Sequence, residues 1–381
     1  MAGIYVHLPF CPYLCPYCDF AKWPFRRSQA RRYVDALLRE IEGAPALQGE
    51  TVFLGGGTPN ALPVEDLLAV LDAVRRRFSV AAGAEVSVEV NPDAGSFDGF
   101  AAYVAHGVTR FSVGVQSFDA DELRTLGRRH SPADIAACVA AARAAGARSI
   151  GIDLIFAVPG QTVASWRRSL AQALALGIDH LSCYGLTVEQ GTPYAAWQAR
   201  EPAAFQDSDA EAELYAAAIE TLEHEGFEHY EISNFARPGR RSAHNWNYWQ
   251  NGEYLGLGVS AASFLAGERS VATKSLETYC AALEAGHEVP RERERLSGAA
   301  AAGEAIMLLL RTAEGVAVEP FNQRYGVDIL SSYRPAIDRL ADAGLIIASE
   351  RRIALTPRGR FLANDVCAEF IAPGTRSEGR P

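Results

Sequence analysis

The sequence of 381 residues predicts an α/β fold, namely a partial (β/α)6 barrel followed by a smaller helical C-terminal domain. Two observations support this fold class. In the first half of the chain, short and almost continuously apolar runs alternate with helical patterns, as in parallel sheets whose strands are buried on both faces. From the charged stretch at 291–295 to Phe370, helical patterns dominate.

The predicted barrel strands share one composition: each is short, apolar and followed by a loop rich in Gly, Pro or Asn. Helical stretches lie between them, for example at 29–42, 64–77 and 132–145. The six predicted strands are 4–8, 51–54, 85–90, 110–115, 149–155 and 180–186.

The chain changes character after about residue 190. We expect a barrel at 1–235, a connecting segment at 236–290, a C-terminal domain at 291–372 and a disordered tail at 373–381. The charged stretch 291–295 is predicted to be a linker. Residues 332–370 show the order helix, strand, turn, strand, helix, which is typical of a winged-helix domain.

The amino-acid composition argues against several classes of function. The net charge of −10 argues against nucleic acid as a partner of the whole chain. No apolar run approaches the ~18 residues of a transmembrane helix, and the first residues resemble a strand rather than a signal peptide. Seven cysteines, three of them clustered, fit a reducing cytoplasm and a metal site, while peripheral membrane association is left open.

Three cysteines, Cys11, Cys15 and Cys18, follow the first predicted strand. Three thiolates can hold a metal centre and leave one coordination position open. A zinc knuckle lacks a second Cys/His pair at zinc-finger spacing, and a redox pair would leave the third cysteine unexplained. We therefore predict an iron–sulfur site.

Further polar or glycine-rich motifs follow the other strands. Because the carboxyl ends of barrel strands open onto one face, we expect these motifs to converge on the cysteines. They are Gly55-Gly56-Gly57-Thr58-Pro59, Glu89-Val90-Asn91-Pro92, Gln116-Ser117-Phe118 and Asp153.

The C-x3-C-x2-C spacing resembles that of the radical S-adenosylmethionine (SAM) superfamily. This resemblance implies a TIM-like barrel, a [4Fe–4S] cluster held by the three cysteines, and SAM bound to the fourth iron. Further motifs are similar to those of the oxygen-independent coproporphyrinogen III oxidase group. They are Tyr5-Val-His7-Leu-Pro9-Phe10-Cys11, Gly55-Gly-Gly-Thr-Pro59, Glu89-Val-Asn-Pro92, Gly114-Val-Gln116-Ser-Phe118 and Asp153-Leu-Ile-Phe-Ala-Val-Pro159-Gly160.

The resemblance implies roles for these positions toward SAM. The glycines and Thr58 would let the backbone approach its amino group, although they could form only a tight turn. Carboxylates would accept hydrogen bonds from ribose hydroxyls or the ammonium group, and Arg128 would pair with the SAM carboxylate unless it is a surface helix charge. The implied SAM contacts are Tyr5, Tyr17, Gly56, Gly57, Thr58, Glu89, Gln116, Arg128 and Asp153.

Two departures separate the chain from the oxidases. These carry a fourth cysteine in C-x3-C-x2-C-x-C, whereas Asp19 and Phe20 follow Cys18 here. The chain also starts almost directly at its first strand, without the long N-terminal segment of the oxidases. Both departures weaken the interpretation as a decarboxylating oxidase.

The segment His244-Asn245-x-x-Tyr248-Trp249 resembles the HNxxYW motif of radical SAM haem chaperones, the HemW-like proteins. Imidazole is a common ligand of haem iron, and aromatic rings stack on flat macrocycles. The four named residues are therefore haem-binding candidates. Alternatively, His244 is a hydrogen-bonded core histidine within an aromatic cluster.

We therefore expect a haem chaperone with three cofactors: a [4Fe–4S] cluster, SAM and haem b. Its expected partners are haem, acceptor apo-haemoproteins and a low-potential electron donor. An oxygen-independent coproporphyrinogen III dehydrogenase, which performs a radical oxidative decarboxylation, is the enzyme alternative. A structural zinc protein is a third class. No catalytic residue is assigned from the sequence.

Overall fold

A computed structural model describes residues 2–95 and 97–371, and the predicted tail at 373–381 lies outside them. The strands are β1 (Ala2–Leu8), β2 (Phe10–Cys11), β3 (Trp23–Pro24), β4 (Gln48–Gly56), β5 (Ser79–Val90), β6 (Arg110–Gln116), β7 (Ser149–Phe156), β8 (His180–Gly185), β9 (Glu228–Glu231), β10 (Asn234–Ala236), β11 (Tyr254–Leu257), β12 (Ala262–Leu265), β13 (Glu268–Ala272), β14 (Arg291–Glu294), β15 (Val316–Ala317), β16 (Ile346–Ala348) and β17 (Arg352–Leu355).

The α-helices are α1 (Arg27–Gly43), α2 (Val64–Arg77), α3 (Phe100–Ala105), α4 (Ala120–Thr125), α5 (Pro132–Ala144), α6 (Val163–Ala175), α7 (Pro193–Arg200), α8 (Ser208–His224), α9 (Ala243–Trp249), α10 (Leu276–Glu284), α11 (Gly298–Leu310), α12 (Val318–Tyr325), α13 (Ile329–Ser332), α14 (Arg334–Asp342), α15 (Pro357–Phe361) and α16 (Ala363–Ala368). Short 3-10 turns occur at Pro59–Ala61, Phe97–Gly99 and Pro202–Ala204.

The main sheet has the order β14-β13-β12-β11-β1-β4-β5-β6-β7-β8-β10-β9. The six predicted strands, β1 and β4 to β8, are consecutive neighbours and pair in parallel. Helices α1, α2, α5 and α6 cover these strands. Helices α5 and α6 begin with capping boxes, in which the N-cap hydroxyl accepts from the backbone N–H of the third helical residue and the side chain of that residue accepts from the backbone N–H of the N-cap residue. The predicted partial barrel of the α/β class is confirmed.

A seventh parallel strand, β11, pairs with β1 in the glycine-rich stretch after α9, where no strand was predicted. Strands β12 to β14 extend the sheet in antiparallel order. The prediction that 291–295 is a linker is wrong, because Arg291–Glu294 forms the edge strand β14. Short, charged edge strands resist pairing with other chains, and such a strand has no apolar pattern to reveal it.

Helix α9 connects the two flanks of the parallel strands. The chain runs from β10, beside β8, through α9 to β11, beside β1. The Ser242 side chain caps the helix by accepting from the Asn245 backbone N–H. The helix packs on β4 and on α11, so it lies between the barrel and the C-terminal domain.

The C-terminal helices surround a core of their own, built from α11 to α16 and the three-stranded sheet β15-β17-β16. The predicted order helix, strand, strand, helix is present as α14, β16, β17 and α15. The last predicted helix is interrupted at Leu362, whose φ of −115° and ψ of 26° end α15. Within the described residues, no helix combines the length and apolar character needed to cross a bilayer.

Candidate functional site

The carboxyl ends of the parallel strands enclose a cavity of about 430 Å³. The structure brings together there the motifs that the sequence placed at strand ends. The predicted residues that line this cavity are Cys11, Cys15, Tyr17, Cys18, Gly56, Gly57, Thr58, Glu89, Gln116, Arg128 and Asp153.

The cysteine loop is held at both ends by backbone hydrogen bonds. Cys11 ends β2, and its carbonyl accepts from the Phe25 N–H at 2.8 Å, while Trp23 N–H donates to the Pro9 carbonyl at 2.7 Å. On the other side, the Thr58 hydroxyl donates to the Cys11 sulfur at 3.5 Å. The three thiols therefore project from a loop that is anchored to the first two parallel strands.

Gly57 lies against this loop with no room for a side chain. A Cβ at this position would lie 2.7 Å from the Pro9 carbonyl carbon and 2.8 Å from the Phe10 nitrogen. Gly56 has a φ of +114°, and a Cβ there would meet the His7 ring at 2.5 Å. The glycines thus do more than form a tight turn, because they allow the loop after β4 to pack directly on the cysteine loop.

Arg128 is buried in the loop after α4 and is not a surface helix charge. One terminal nitrogen donates to Asn91 Oδ1 and to the Gly114 carbonyl, both at 2.8 Å, and the other approaches the Cys15 sulfur at 3.6 Å. The Arg128 Nε has no hydrogen-bond partner among the described residues. The Arg128 guanidinium is therefore a cation of fixed orientation in the cavity wall.

Asn91 belongs to a motif that the sequence analysis placed at the cavity, but it was given no role there. Its side chain accepts from Arg128 and donates from Nδ2 to the Thr58 hydroxyl at 2.8 Å. Asn91 thus links the cation, the glycine loop and, through Thr58, the thiol of Cys11. Its position directly after the third predicted strand was the available signal.

Two half-buried carboxylates, Glu89 and Asp153, line the same cavity. Burial, together with the charge of Asp153, raises the pKa of Glu89 to about 7, although the Gly56 N–H donates to it at 3.0 Å. Burial also raises the pKa of Asp153, against hydrogen bonds from Ser182 and Ser112. Neither carboxylate forms a salt bridge within the part of the chain that the structure describes. The pair is therefore suited to a cationic ligand.

Gln116 adopts a φ of +71° at the end of β6. Left-handed backbone is uncommon for a residue other than glycine, and such strain is concentrated at functional sites. This conformation presents the amide at the cavity between the carboxylates of β5 and β7.

The two tyrosines predicted to contact SAM occupy different depths. Tyr17 lines the cavity, whereas Tyr5 lies deeper in the barrel. The Tyr5 hydroxyl is 2.9 Å from His7 Nδ1, and His7 Nε2 is 2.8 Å from the carbonyl of Ala21 in the cysteine loop. Tyr5 is therefore linked through His7 to the cysteine loop, but neither Tyr5 nor His7 lines the cavity, and the SAM contact of Tyr5 stays a prediction.

The HNxxYW residues lie on α9, and none of the four lines the cavity. His244 is fully buried, with Nδ1 2.8 Å from the Thr51 hydroxyl and Nε2 2.7 Å from the Tyr248 hydroxyl. Burial lowers the pKa of His244 to about 3, so the ring is neutral. Iron ligation by His244 would require one of these hydrogen bonds to open, and the haem-binding role of the motif stays a prediction.

Phe20, which follows the cysteines, lines the cavity and is 64% exposed. Tyr184 lines the same cavity at 41% exposure, and Leu14 of the cysteine loop is 47% exposed. The cavity therefore has apolar and aromatic side chains that the protein itself does not cover.

The partial barrel and its three-cysteine cavity define a radical SAM protein. Residues 5–173 match the Radical SAM superfamily model, and residues 296–362 match the HemN C-terminal domain model. The chain is 33% identical over 376 residues to "Heme chaperone HemW" of Bacillus subtilis, covering 97% of this chain and 99% of that protein. HemW of Mycobacterium tuberculosis is 37% identical over 377 residues, covering 97% and 94%. The chain therefore belongs to the HemW family of the radical SAM superfamily.

A solved structure also supports membership of the radical SAM superfamily. Coproporphyrinogen III oxidase (HemN) from Escherichia coli, described as a radical SAM enzyme, superposes with a TM-score of 0.85 at 26% identity. The alignment covers 97% of this chain and 90% of that one. The predicted family resemblance is confirmed.

Family membership implies an iron–sulfur cluster and SAM, and the cavity fits both. Thiols are the usual cluster ligands, and three of them share one cavity. Among the described residues, no three His, Cys, Asp or Glu side chains are grouped closely enough to hold a single metal ion. The Arg128 guanidinium and the carboxylates of Glu89 and Asp153 line the cavity together, which matches a ligand that carries both a carboxylate and cationic groups.

Proposed function

We propose that the chain is a haem chaperone, which binds haem b and a SAM-coordinating [4Fe–4S] cluster and transfers haem to acceptor haemoproteins. The observation that carries this proposal is the match over 97% of the chain to relatives named heme chaperone. We propose a cytoplasmic location, and a low-potential electron donor as a further partner.

In this proposal Cys11, Cys15 and Cys18 hold the cluster. When bound, the cluster and SAM supply one-electron chemistry at the SAM sulfonium. The chain's own residues orient SAM: the Arg128 guanidinium pairs with its carboxylate, while Glu89 and Asp153 accept from its ammonium and ribose hydroxyls. Gly56, Gly57 and Thr58 line the amino group, and Gln116 contributes its amide, with Tyr17 beside the ligand and Tyr5 below it.

The exposed apolar side chains at the cavity mouth favour the binding of a flat apolar ligand. Phe20 stands where the oxidases carry their additional cysteine, and an exposed phenyl ring is suited to stacking on a macrocycle. We propose that haem makes its first contact at this mouth. The candidate residues His244, Asn245, Tyr248 and Trp249 on α9 remain proposed haem contacts that a spectroscopic test must decide.

Titration of the cluster-loaded protein with haemin tests binding, and addition of apomyoglobin as an acceptor tests transfer. We expect a saturable shift of the Soret band when haemin binds. After apomyoglobin is added, we expect the wild-type protein to form holomyoglobin faster than a Phe20→Ser variant that carries the same amount of haemin. Absence of a Soret shift in protein with an intact cluster would refute the chaperone proposal.

The structural similarity to HemN favours a second candidate, coproporphyrinogen III dehydrogenase. This activity would convert two propionate side chains of the substrate to vinyl groups by radical oxidative decarboxylation. An anaerobic assay with reductant, SAM and coproporphyrinogen III separates the two candidates. Formation of protoporphyrinogen would establish the enzyme and replace the first proposal.

A further inference from the structure

Glu122 of α4 is a buried carboxylate that does not line the cavity. Its Oε2 accepts from the Ser117 hydroxyl at 2.6 Å and from Gln161 Nε2 at 3.0 Å. Its Oε1 accepts from the Ser165 hydroxyl at 2.7 Å. Two of these donors lie 39 and 43 residues away along the chain, so a single carboxylate joins separate segments of the barrel.

The first donor, Ser117, directly follows Gln116, the cavity residue whose left-handed backbone ends β6. The Ser117 side chain is fully buried, and its hydroxyl donates to Glu122 and accepts from the Asp119 N–H at 3.0 Å. Strained backbone persists only where the surrounding contacts hold it in place. The bond from Ser117 to Glu122 therefore fixes the backbone next to Gln116 and, with it, the direction of the Gln116 amide.

The other two donors hold the neighbouring strand end. Ala157 follows β7 and is a second non-glycine residue with left-handed backbone, at a φ of +60°. Gln161 closes this loop, because its backbone N–H donates to the Val158 carbonyl at 2.9 Å, and Ser165 lies in the first turn of α6. Glu122 therefore ties the strained ends of two adjacent parallel strands to each other.

We infer that Glu122, through Ser117, is a positioning residue for SAM, because it fixes the Gln116 amide at the cavity. Glu122 acts from behind the cavity wall and does not touch the ligand. This inference rests on the SAM site of the proposed function and is independent of haem transfer.

The contacts of Glu122 require an acceptor rather than a negative charge. In Glu122→Gln, the amide oxygen can take the place of Oε2 and accept from both Ser117 and Gln161. The amide nitrogen then faces Ser165, whose hydroxyl can donate to the Thr162 carbonyl at 3.0 Å instead. Glu122→Ala, in contrast, removes every acceptor. These two variants therefore separate the positioning role from a general effect of charge near the cavity.

Equilibrium binding of SAM to cluster-loaded protein tests the inference. We expect Ser117→Ala and Glu122→Ala each to weaken binding about three- to tenfold, as for the loss of one hydrogen bond. Glu122→Gln should bind SAM within about twofold of wild type, because it keeps the acceptor for Ser117.

Ser165→Ala is the matched control for Ser117→Ala. It removes a buried hydroxyl from the same carboxylate and one side chain from the capping box of α6, but it leaves the Ser117 bond in place. The control should therefore lower thermal stability while its SAM affinity stays within about twofold of wild type.

A double-mutant cycle with Gln116→Ala shows whether the effect passes through the Gln116 amide. Alanine keeps a Cβ, and hence the backbone strain, but has no amide. Ser117→Ala should therefore lose its effect on SAM affinity in this background. A purely structural role would weaken SAM binding to the same extent in both backgrounds.

The inference is wrong if Ser117→Ala equals Ser165→Ala in SAM affinity, or if its effect persists undiminished with Gln116→Ala. It is also wrong if Glu122→Gln binds SAM as weakly as Glu122→Ala. If Glu122→Ala does not fold, the comparison of the two serine variants decides the inference alone. Wild-type protein with an intact cluster that does not bind SAM would refute the SAM site and this inference together. Wild-type protein that shows the expected SAM affinities but no haemin binding would refute only the chaperone proposal.

Discussion

Replacement of Glu89 by glutamine should stabilise the protein at neutral pH while weakening SAM binding. Burial and the Asp153 charge raise the pKa of Glu89 from 4.5 to about 7, so the folded state holds this proton more tightly than the unfolded state. The wild-type free energy of unfolding therefore falls as pH rises from about 4.5 to about 7, and this loss is complete above pH 7. Glutamine does not titrate and still accepts from the Gly56 N–H.

The difference between 4.5 and about 7, at about 1.4 kcal/mol per pH unit, corresponds to about 3 kcal/mol. We expect Glu89→Gln to gain up to this amount over wild type between pH 5 and pH 8. SAM binding should show the opposite dependence. A cationic ligand prefers the ionised carboxylate, so wild-type affinity should rise with pH up to about 7, while the variant should be weaker and nearly independent of pH in this window.

Thermal unfolding of cluster-free protein at a series of pH values measures the stability difference, and equilibrium binding on cluster-loaded protein measures SAM affinity. Glu231→Gln is a matched control, because burial raises the pKa of Glu231 to about 7 as well, and Glu231 does not line the cavity. The control should reproduce the pH-dependent stabilisation and leave SAM affinity unchanged.

The reasoning about Glu89 fails if the stability difference between Glu89→Gln and wild type is constant from pH 5 to pH 8. It also fails if SAM affinity of the variant keeps the wild-type pH profile. Equal loss of SAM affinity in Glu231→Gln would show that general stability, and not the carboxylate in the cavity, controls binding.

Three further predictions concern the cavity. Cys15→Ser should abolish cluster iron and sulfide content, whereas Cys138→Ser, at a buried apolar site, should retain both. Gly57→Ala should lower cluster loading several-fold, because the added Cβ displaces the cysteine loop. Gly43→Ala is the control and should load the cluster normally, because Gly43 has open space around it. Equal loading of the two variants would contradict the close packing at Gly57. Arg128→Gln should weaken SAM binding about tenfold or more, the cost of one charged hydrogen bond, and unchanged affinity in calorimetry would exclude the assigned contact.

The parallel strands were predictable because burial on both faces leaves continuous apolar runs in the sequence. Strand β11 was not predicted, since Gly256 interrupts its pattern, Gly258 follows it directly, and its pairing with β1 is set by residues distant in sequence. Strand β14 was not predicted because every residue in it is charged. Its one partly buried side chain, Arg291, is neutralised by Glu40 at 2.8 Å, a contact that spacing along the chain does not show.

The part of the candidate site that was predictable is the part that the order and direction of the parallel strands determine. Motifs at the ends of parallel strands must converge, and they do. The sequence did not indicate which way α9 faces, because a helix of seven residues is too short for a clear period. His244 therefore suggested an accessible iron ligand, whereas the structure buries its ring inside the barrel. The role of Asn91 was equally hidden, since it depends on the partners Arg128 and Thr58.

The left-handed backbone at Gln116 has a consequence for protein engineering. Such a conformation costs a side-chain-bearing residue about 1–2 kcal/mol, and glycine would adopt it freely. A design procedure that optimises stability alone would therefore choose glycine at this position. It would gain thermal stability and delete the amide at the cavity, so a more stable variant selected in this way would have lost part of its binding surface.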